Sequence, residues 1–393
     1  MKWHFYLAIL GLWTASSHSE IVNTWKAAAG YQYAKNNPDS YTFYTDDDQV
    51  NQQNRQLLLE YAGETDYVDA QLAAFFEHDG SASGDLLVKE LFWHHDDEGF
   101  DLMVGKRRID YGVSYAFRPL DLFLSYQRNP IALQVEEGVG IISASHFTET
   151  AEVSIFYINS HLLQQDLEVP SDPLQGGVGG RYYQLIDDSE WQLIGYWDDQ
   201  RSWSIGGGYV TTINDAIEFH SELRYQHHYL QWSQPYIPDY YPVQVVELES
   251  KNDCILASVG ITWSDLIGNN IIVEYWLDQR AWRADQWQSY ADAVRTSPIS
   301  TSLQQVFTVS NLNRNNVMLH WSLDSENSDF TPTLDYVFSP DEGSQVITAR
   351  GRQEVTQSAN AELSFTYYTG RDKSVFMDLS DEWIMAATWA YSF

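Results

Sequence analysis

Apolar and polar residues alternate one for one along most of the chain. In AIEFHSELRYQ, Ile217, Phe219, Leu223 and Tyr225 alternate with Glu218, His220, Glu222 and Arg224. This period of two puts one apolar and one charged face on a β-strand, whereas a helix would scatter the charges around its circumference. NVMLHWSLD repeats the pattern, with Val317, Leu319, Trp321 and Leu323 opposite Asn316, Met318, His320 and Ser322. NIIVEYWLD sets Ile271, Val273, Tyr275 and Leu277 against Ile272, Glu274, Trp276 and Asp278. The C-terminal EWIMAATWAYSF places Trp383, Met385, Ala387, Trp389, Tyr391 and Phe393 on one face.

The connections between these segments fall into two interleaved sets. Short polar links are expected at 63–66, 96–99, 148–151, 187–190, 214–216, 264–269, 325–329 and 356–360. Between them lie 36–53, 78–84, 107–137, 160–178, 198–201, 231–251, 282–312, 340–343 and 370–381, many of them long. Eight short and nine other links join eighteen strands in an up-and-down antiparallel meander, with sixteen as the second count. Both chain ends then fall on the short-turn rim. No linker or low-complexity tract divides the segment 20–393, which reads as one all-β domain.

Residues 1–19 have a different layout. Lys2 precedes an apolar stretch from Phe5 to Trp13, and small residues suit cleavage after Ser17 or Ser19. This is the arrangement of a secretory signal peptide; the competing reading is a buried N-terminal strand. The single cysteine, Cys254, excludes an intramolecular disulfide framework and suits a small apolar packing role. No apolar run reaches the length of a membrane-spanning helix. A secreted soluble protein and a transmembrane β-barrel remain.

Composition narrows this choice. The chain is 15% aromatic, with Trp 15 and Tyr 26, yet its mean hydropathy is −0.38. A formal net charge of −33 excludes nucleic acid as a partner, because phosphate contacts need clustered Lys and Arg. Within a bilayer every backbone N–H and C=O must find a protein partner, so strands cross only as closed barrels. Such a barrel turns apolar residues and aromatic girdles outward and tolerates polar residues inside. The terminal segment fits, with Trp383 and Tyr391 spaced for opposite girdles.

On these features the sequence resembles the Gram-negative outer-membrane β-barrel proteins, over essentially all of residues 20–393. The shared features are the signal segment, the amphipathic meander, the two classes of link and the final Trp389, Tyr391 and Phe393. The resemblance implies a transmembrane barrel in the outer membrane, in contact with lipid and lipopolysaccharide. It also implies that the terminal aromatic pattern is read by the barrel-assembly machinery. Within that class, VGKRRIDYGVSYAFRPLDLF is similar to a segment of porin-like barrels, through Gly105, Arg107, Arg108, Tyr111, Gly112, Pro119 and Asp121. That likeness implies a channel for passive diffusion of small polar or charged solutes. A conduit or scaffold for surface export of polysaccharide or protein is the alternative.

If strand faces follow the alternation, the lumen receives Glu60, Asp69, Gln71, Asp101, Arg107, Glu218, His220, Glu222, Arg224, Glu274, Asp278, His320, Glu362 and Thr366. Each can serve ion selection or simply pair across neighbouring strands. The link 107–137 concentrates Arg107, Arg108, Arg118 and Arg128 in a chain poor in basic residues. Folded inward, these guanidinium groups could form a constriction for anionic or hydroxylated solutes. Alternatively they neutralise Asp110, Asp121, Glu136 and Glu137 and fix the loop. Acidic loops at Asp46, Asp47 and Asp48, or at Asp239, Glu247 and Glu249, lack the spacing of a calcium loop and read as a solvated rim bridged by cations to lipopolysaccharide. The aromatic WSQPYIPDYYP, with Trp232, Tyr236, Tyr240 and Tyr241, can stack on sugars or cover the mouth.

No local arrangement favours an enzyme. Ser145–His146 and His220–Ser221 put neighbours on opposite strand faces, and GSASG has Ala82 at the nucleophile position. His94–His95 and His227–His228 lack zinc-site spacing. A membrane-embedded hydrolase is the least favoured reading, and no metal or cofactor is expected. Association into a homo-oligomer stays open.

Overall fold

The computed structural model describes residues 22–40, 42, 51–123, 133, 135–163, 172–238, 243–296 and 301–393. Eighteen antiparallel strands form one sheet that closes on itself. The first six are β1 (Val22–Asn36), β2 (Gln52–Glu64), β3 (Val68–His78), β4 (Ala82–Asp97), β5 (Phe100–Arg107) and β6 (Val139–Phe147). The next six are β7 (Ala151–Asn159), β8 (Gly176–Ile186), β9 (Ser189–Asp198), β10 (Ser202–Asn214), β11 (Ile217–Trp232) and β12 (Leu248–Ser264). The last six are β13 (Asn269–Asp278), β14 (Asn315–Leu323), β15 (Phe330–Phe338), β16 (Gln345–Thr356), β17 (Ala359–Thr369) and β18 (Asp381–Ser392). Each strand pairs with its sequence neighbours, and β1 also pairs with β18. The strand count, meander order and interleaved link classes read from the alternation are all found.

Closure removes every unpaired sheet edge, as strands in hydrocarbon require. Along the seam Lys26 faces Ser392 and Lys35 faces Trp383. Trp25 and Phe393 exchange both backbone hydrogen bonds, each at 2.9 Å. The aromatic terminus thus completes the wall.

Strand β9 shows the two faces most clearly. Trp191, Leu193 and Trp197 are exposed, while Gln192, Ile194, Tyr196 and Asp198 are buried. The same alternation covers β18, where Met385, Trp389 and Tyr391 are exposed and Ile384 and Ala386 are buried. These exposed large residues lie on the strand face opposite the buried one and form an apolar outer surface. No helix among the described residues is long and apolar enough to cross a membrane.

Connections at the two rims differ. One rim carries the tight turns, such as 98–99 between β4 and β5 and 187–188 between β8 and β9. At the other rim, the link 279–314 contains helix α1 (Ala284–Thr296), which the alternation did not predict. Its apolar side, Trp287, Tyr290 and Val294, packs with Trp282, Leu303 and Val306 of the same link. Trp232 at the end of β11, with Val246 and Val375 from the β11–β12 and β17–β18 connections, completes this cluster. The Thr42 hydroxyl lies 3.0 Å from the Tyr290 hydroxyl, which also donates to the Leu303 carbonyl at 2.9 Å. Arg295 pairs with Asp372 at 2.8 Å and Lys373 with Asp292 at 2.7 Å. Four connections therefore share one roof over part of this rim.

Candidate functional site: a loop held inside the barrel

After β5 the chain turns into the barrel. Gly105, next to the crossing, has φ +149, and a Cβ there would meet Leu91 O and Phe92 Cα at 2.4 Å. Only glycine fits so close an approach. The segment 108–123 then runs along the polar face of strands distant from β5. It touches β9, β11, β12, β13 and β14, which are far apart around the wall, so it lies within the lumen.

Two wall carboxylates hold it there. Glu222, on β11, accepts backbone N–H bonds from Val113 at 2.5 Å, Ser114 at 2.6 Å and Leu120 at 2.9 Å. Glu274, on β13, accepts from Tyr115 at 2.8 Å and from Ala116 and Phe117 at 3.1 Å. Both side chains are buried, at 3% and 0% exposure. A buried carboxylate needs several donors, and an irregular loop has N–H groups that no ladder satisfies; each supplies what the other lacks. A hydrogen bond contributes about 0.5–1.5 kcal/mol net, and a buried acceptor left without donors costs about 1–3 kcal/mol, so the six bonds together hold the irregular segment in place.

Further contacts fill in around these anchors. The Gln192 amide donates to the Tyr111 carbonyl at 2.6 Å, and the Ser114 and Ser258 hydroxyls meet at 2.5 Å. Gly112 N–H donates to Asp121 Oδ1 at 2.8 Å, folding the loop on itself. Leu120, Leu122 and Phe123 enter an apolar cluster with Phe156, Ile158, Ile194 and Tyr196. Ala116 and Phe117 pack on Ile272, Trp276 and Met318. Apolar residues on the inner face of β13 and β14 thus serve the loop. Gly206 and Gly208 leave room for Leu120, whose methyl carbons would lie 2.5 and 3.2 Å from added Cβ atoms. Beyond the segment, Leu133 N–H donates to Gln56 Oε1 at 3.1 Å, and Val135 packs with Ala28, Leu58 and Ala73.

Arg108 and Arg118 of the loop lie beside acidic neighbours. Arg108 pairs with Asp110 at 2.7 Å and also with Glu136. Arg118 lies 3.9 Å from Asp121 and donates from Nε to the Ser114 carbonyl at 2.7 Å. Arg107 is the last residue of β5 rather than a loop residue; its guanidinium sits 4.9 Å above the Phe92 ring. Glu137 is paired with the fully buried Lys106, a partner the sequence pattern did not single out. Arg128 lies outside the described residues, as do Asp46, Asp47, Asp48, Asp239, Tyr240, Tyr241 and the segment 1–19.

Among the strand residues, His220 lies 3.2 Å from Glu274, joining the loop anchor. His320 is 2.6 Å from Asp335, which also binds Arg350 at 2.6 Å, and the Tyr115 ring lies tilted with its centroid 4.6 Å from that of His320. Arg224 is buried and bonds Gln226 at 3.0 Å. Glu218, at the short-turn end of β11, is exposed and stands apart from this cluster. Sequence reasoning also missed Arg201, which binds Asp198 at 2.9 Å and the Leu122 carbonyl at 2.8 Å, tying the loop to the start of β10. Its position in the three-residue 199–201 link carried no signal of an inward role.

No protein-family model matches this chain, and no curated protein matches it. Among solved structures it is similar to Acinetobacter baumannii OccAB1, at TM-score 0.60 and 8% identity over 95% of this chain and 96% of that one. It is likewise similar to Pseudomonas aeruginosa OccK5 (OpdH), at TM-score 0.58 and 10% identity over 95% and 98%. Pseudomonas aeruginosa OccK11 (OpdR) follows at TM-score 0.57 and 8% identity over 95% and 96%. The likeness runs over the whole barrel, and at such identity it concerns the fold. The chain has the architecture of a porin-like outer-membrane β-barrel.

Proposed function

We propose that this protein is a channel of the Gram-negative outer membrane, passing small polar solutes by passive diffusion through a lumen that the loop after β5 narrows. The observation that carries this reading is the pair of wall carboxylates, Glu222 and Glu274, dedicated to holding an irregular segment inside a closed barrel. A wall lined with charged and amide groups, rather than the apolar core of a small closed barrel, suits a hydrated path. In this reading Arg108, Asp110, Arg118 and Asp121 set the shape of the constriction through their mutual pairing. Arg107, Arg224 and His320 contribute to the field along the wall, and Glu218 lines the short-turn end. Trp389, Tyr391 and Phe393 act as the assembly signal, and the outer surface contacts lipid and lipopolysaccharide.

The test is swelling of liposomes that contain the refolded chain, using sugars and amino acids graded in size and charge. Uptake that falls with solute size is expected. A correctly closed barrel that admits none of these solutes would remove the channel reading.

A further inference from the structure

The roof and the inward loop leave one sector of the long-loop rim built differently. At the ends of β1, β2 and β3 lies a cleft of about 720 Å³, a volume typical of small-molecule sites. Its lining is mostly amide, from Gln32, Asn51, Gln52, Gln53 and Asn54, and also includes Arg55, His78 and Asp79. The β3–β4 connection beside it is only the three residues 79–81, so the wall is low there. Register sets Gln32 against Asn54 and Ala34 against Gln52, which stacks amide side chains on the inner face.

The amides divide into two groups. Asn54 and Gln56 both donate to Glu77, the second at 3.1 Å, and are fixed by it. The side chains of Gln32, Asn51, Gln52 and Gln53 make no hydrogen bond to another described residue. Each carboxamide offers two donors and one acceptor without charge. A hydroxyl is also both donor and acceptor, so such a lining matches a neutral polyol group by group. Among the described lining residues a carboxylate or ammonium solute would find only Arg55 and Asp79, which oppose each other in sign, and His78.

We propose that this cleft is a binding subsite for neutral, hydroxyl-rich solutes of saccharide size, met before the constriction. It deepens the channel reading and rests on it for its role in transport. Calorimetric titration of the full chain in detergent with raffinose or maltotriose tests it, with sodium glutamate and arginine hydrochloride as charged comparators. Saturable trisaccharide binding is expected, with none for the charged solutes, and binding roughly tenfold weaker in the Gln32→Ala/Gln52→Ala variant. Trisaccharide binding that is absent or equalled by the charged solutes in the unaltered chain would overturn the subsite, and so would binding unaffected by the substitutions. The comparison among solutes needs no variant, so a misfolded variant leaves the test intact. Bilayer conductance separates the two readings: a conducting barrel without sugar binding sinks the subsite alone, and sugar binding by a non-conducting barrel sinks the channel alone.

Discussion

Polar side chains in two regions of the inner wall do opposite things. Under the inward loop, on β9 to β14, the polar side chains spend their hydrogen bonds on protein: Glu222 and Glu274 accept six backbone N–H groups, and Gln192 reaches a backbone carbonyl. At the outer ends of β1 to β3, Gln32 and Gln52 have no such partner among the described residues. A polar residue facing a lumen is therefore not defined by its chemistry alone. Its partners decide whether it builds the constriction or is left for water and solute.

The largest expected effect comes from breaking the first region. Glu222→Ala combined with Glu274→Ala strands six loop N–H groups and is expected to lower stability by about 4 kcal/mol or more, read from urea unfolding in lipid vesicles. A smaller loss is expected where the loop packs rather than bonds. Gly206→Val would press a side chain against Leu120 and the Leu223 carbonyl, costing about 1–3 kcal/mol in the same assay.

Glu342 sharpens the comparison from outside the membrane span. Lying between β15 and β16, it is buried and, among the described residues, accepts from the Ser344 hydroxyl at 2.6 Å and Val375 N–H at 3.3 Å. Burial pushes its carboxyl up to about 7, against the opposing pull of those two bonds. Because the folded value exceeds the unfolded one, the stability linked to Glu342 is fully present below about pH 4.5 and is lost as pH rises through about 7. Hydrogen-exchange protection of the 375–378 turn, corrected for intrinsic rates, is expected to fall over that window, and Glu342→Gln is expected to flatten the dependence. The smallest effect belongs to the second region. Gln52→Ala is expected to change unfolding stability by less than about 0.5 kcal/mol, because no side-chain hydrogen bond to a described residue is lost.

The same division explains what the sequence made legible. Strand order, closure and rim classes follow from period-two alternation, and His220, Glu222 and Glu274 were placed on the inner face by it. Their job was not legible, since a carboxylate and the loop N–H groups it binds lie over a hundred residues apart and no spacing rule links them. Helix α1 was hidden for another reason. Its signal was present, with Trp287, Tyr290, Ala291 and Val294 at helical intervals, but the segment was read as a link between strands. The amide cleft was invisible because Asn51 to Asn54 look like any polar loop edge until the register stacks them against β1.

Single-channel conductance in planar bilayers, compared between the unaltered chain and the Glu222→Ala/Glu274→Ala variant in the same salt, tests the central claim most directly. Discrete steps are expected from the unaltered chain, and larger, noisier steps from the variant, whose loop is no longer held in the lumen. Indistinguishable conductance from two correctly closed barrels would contradict it.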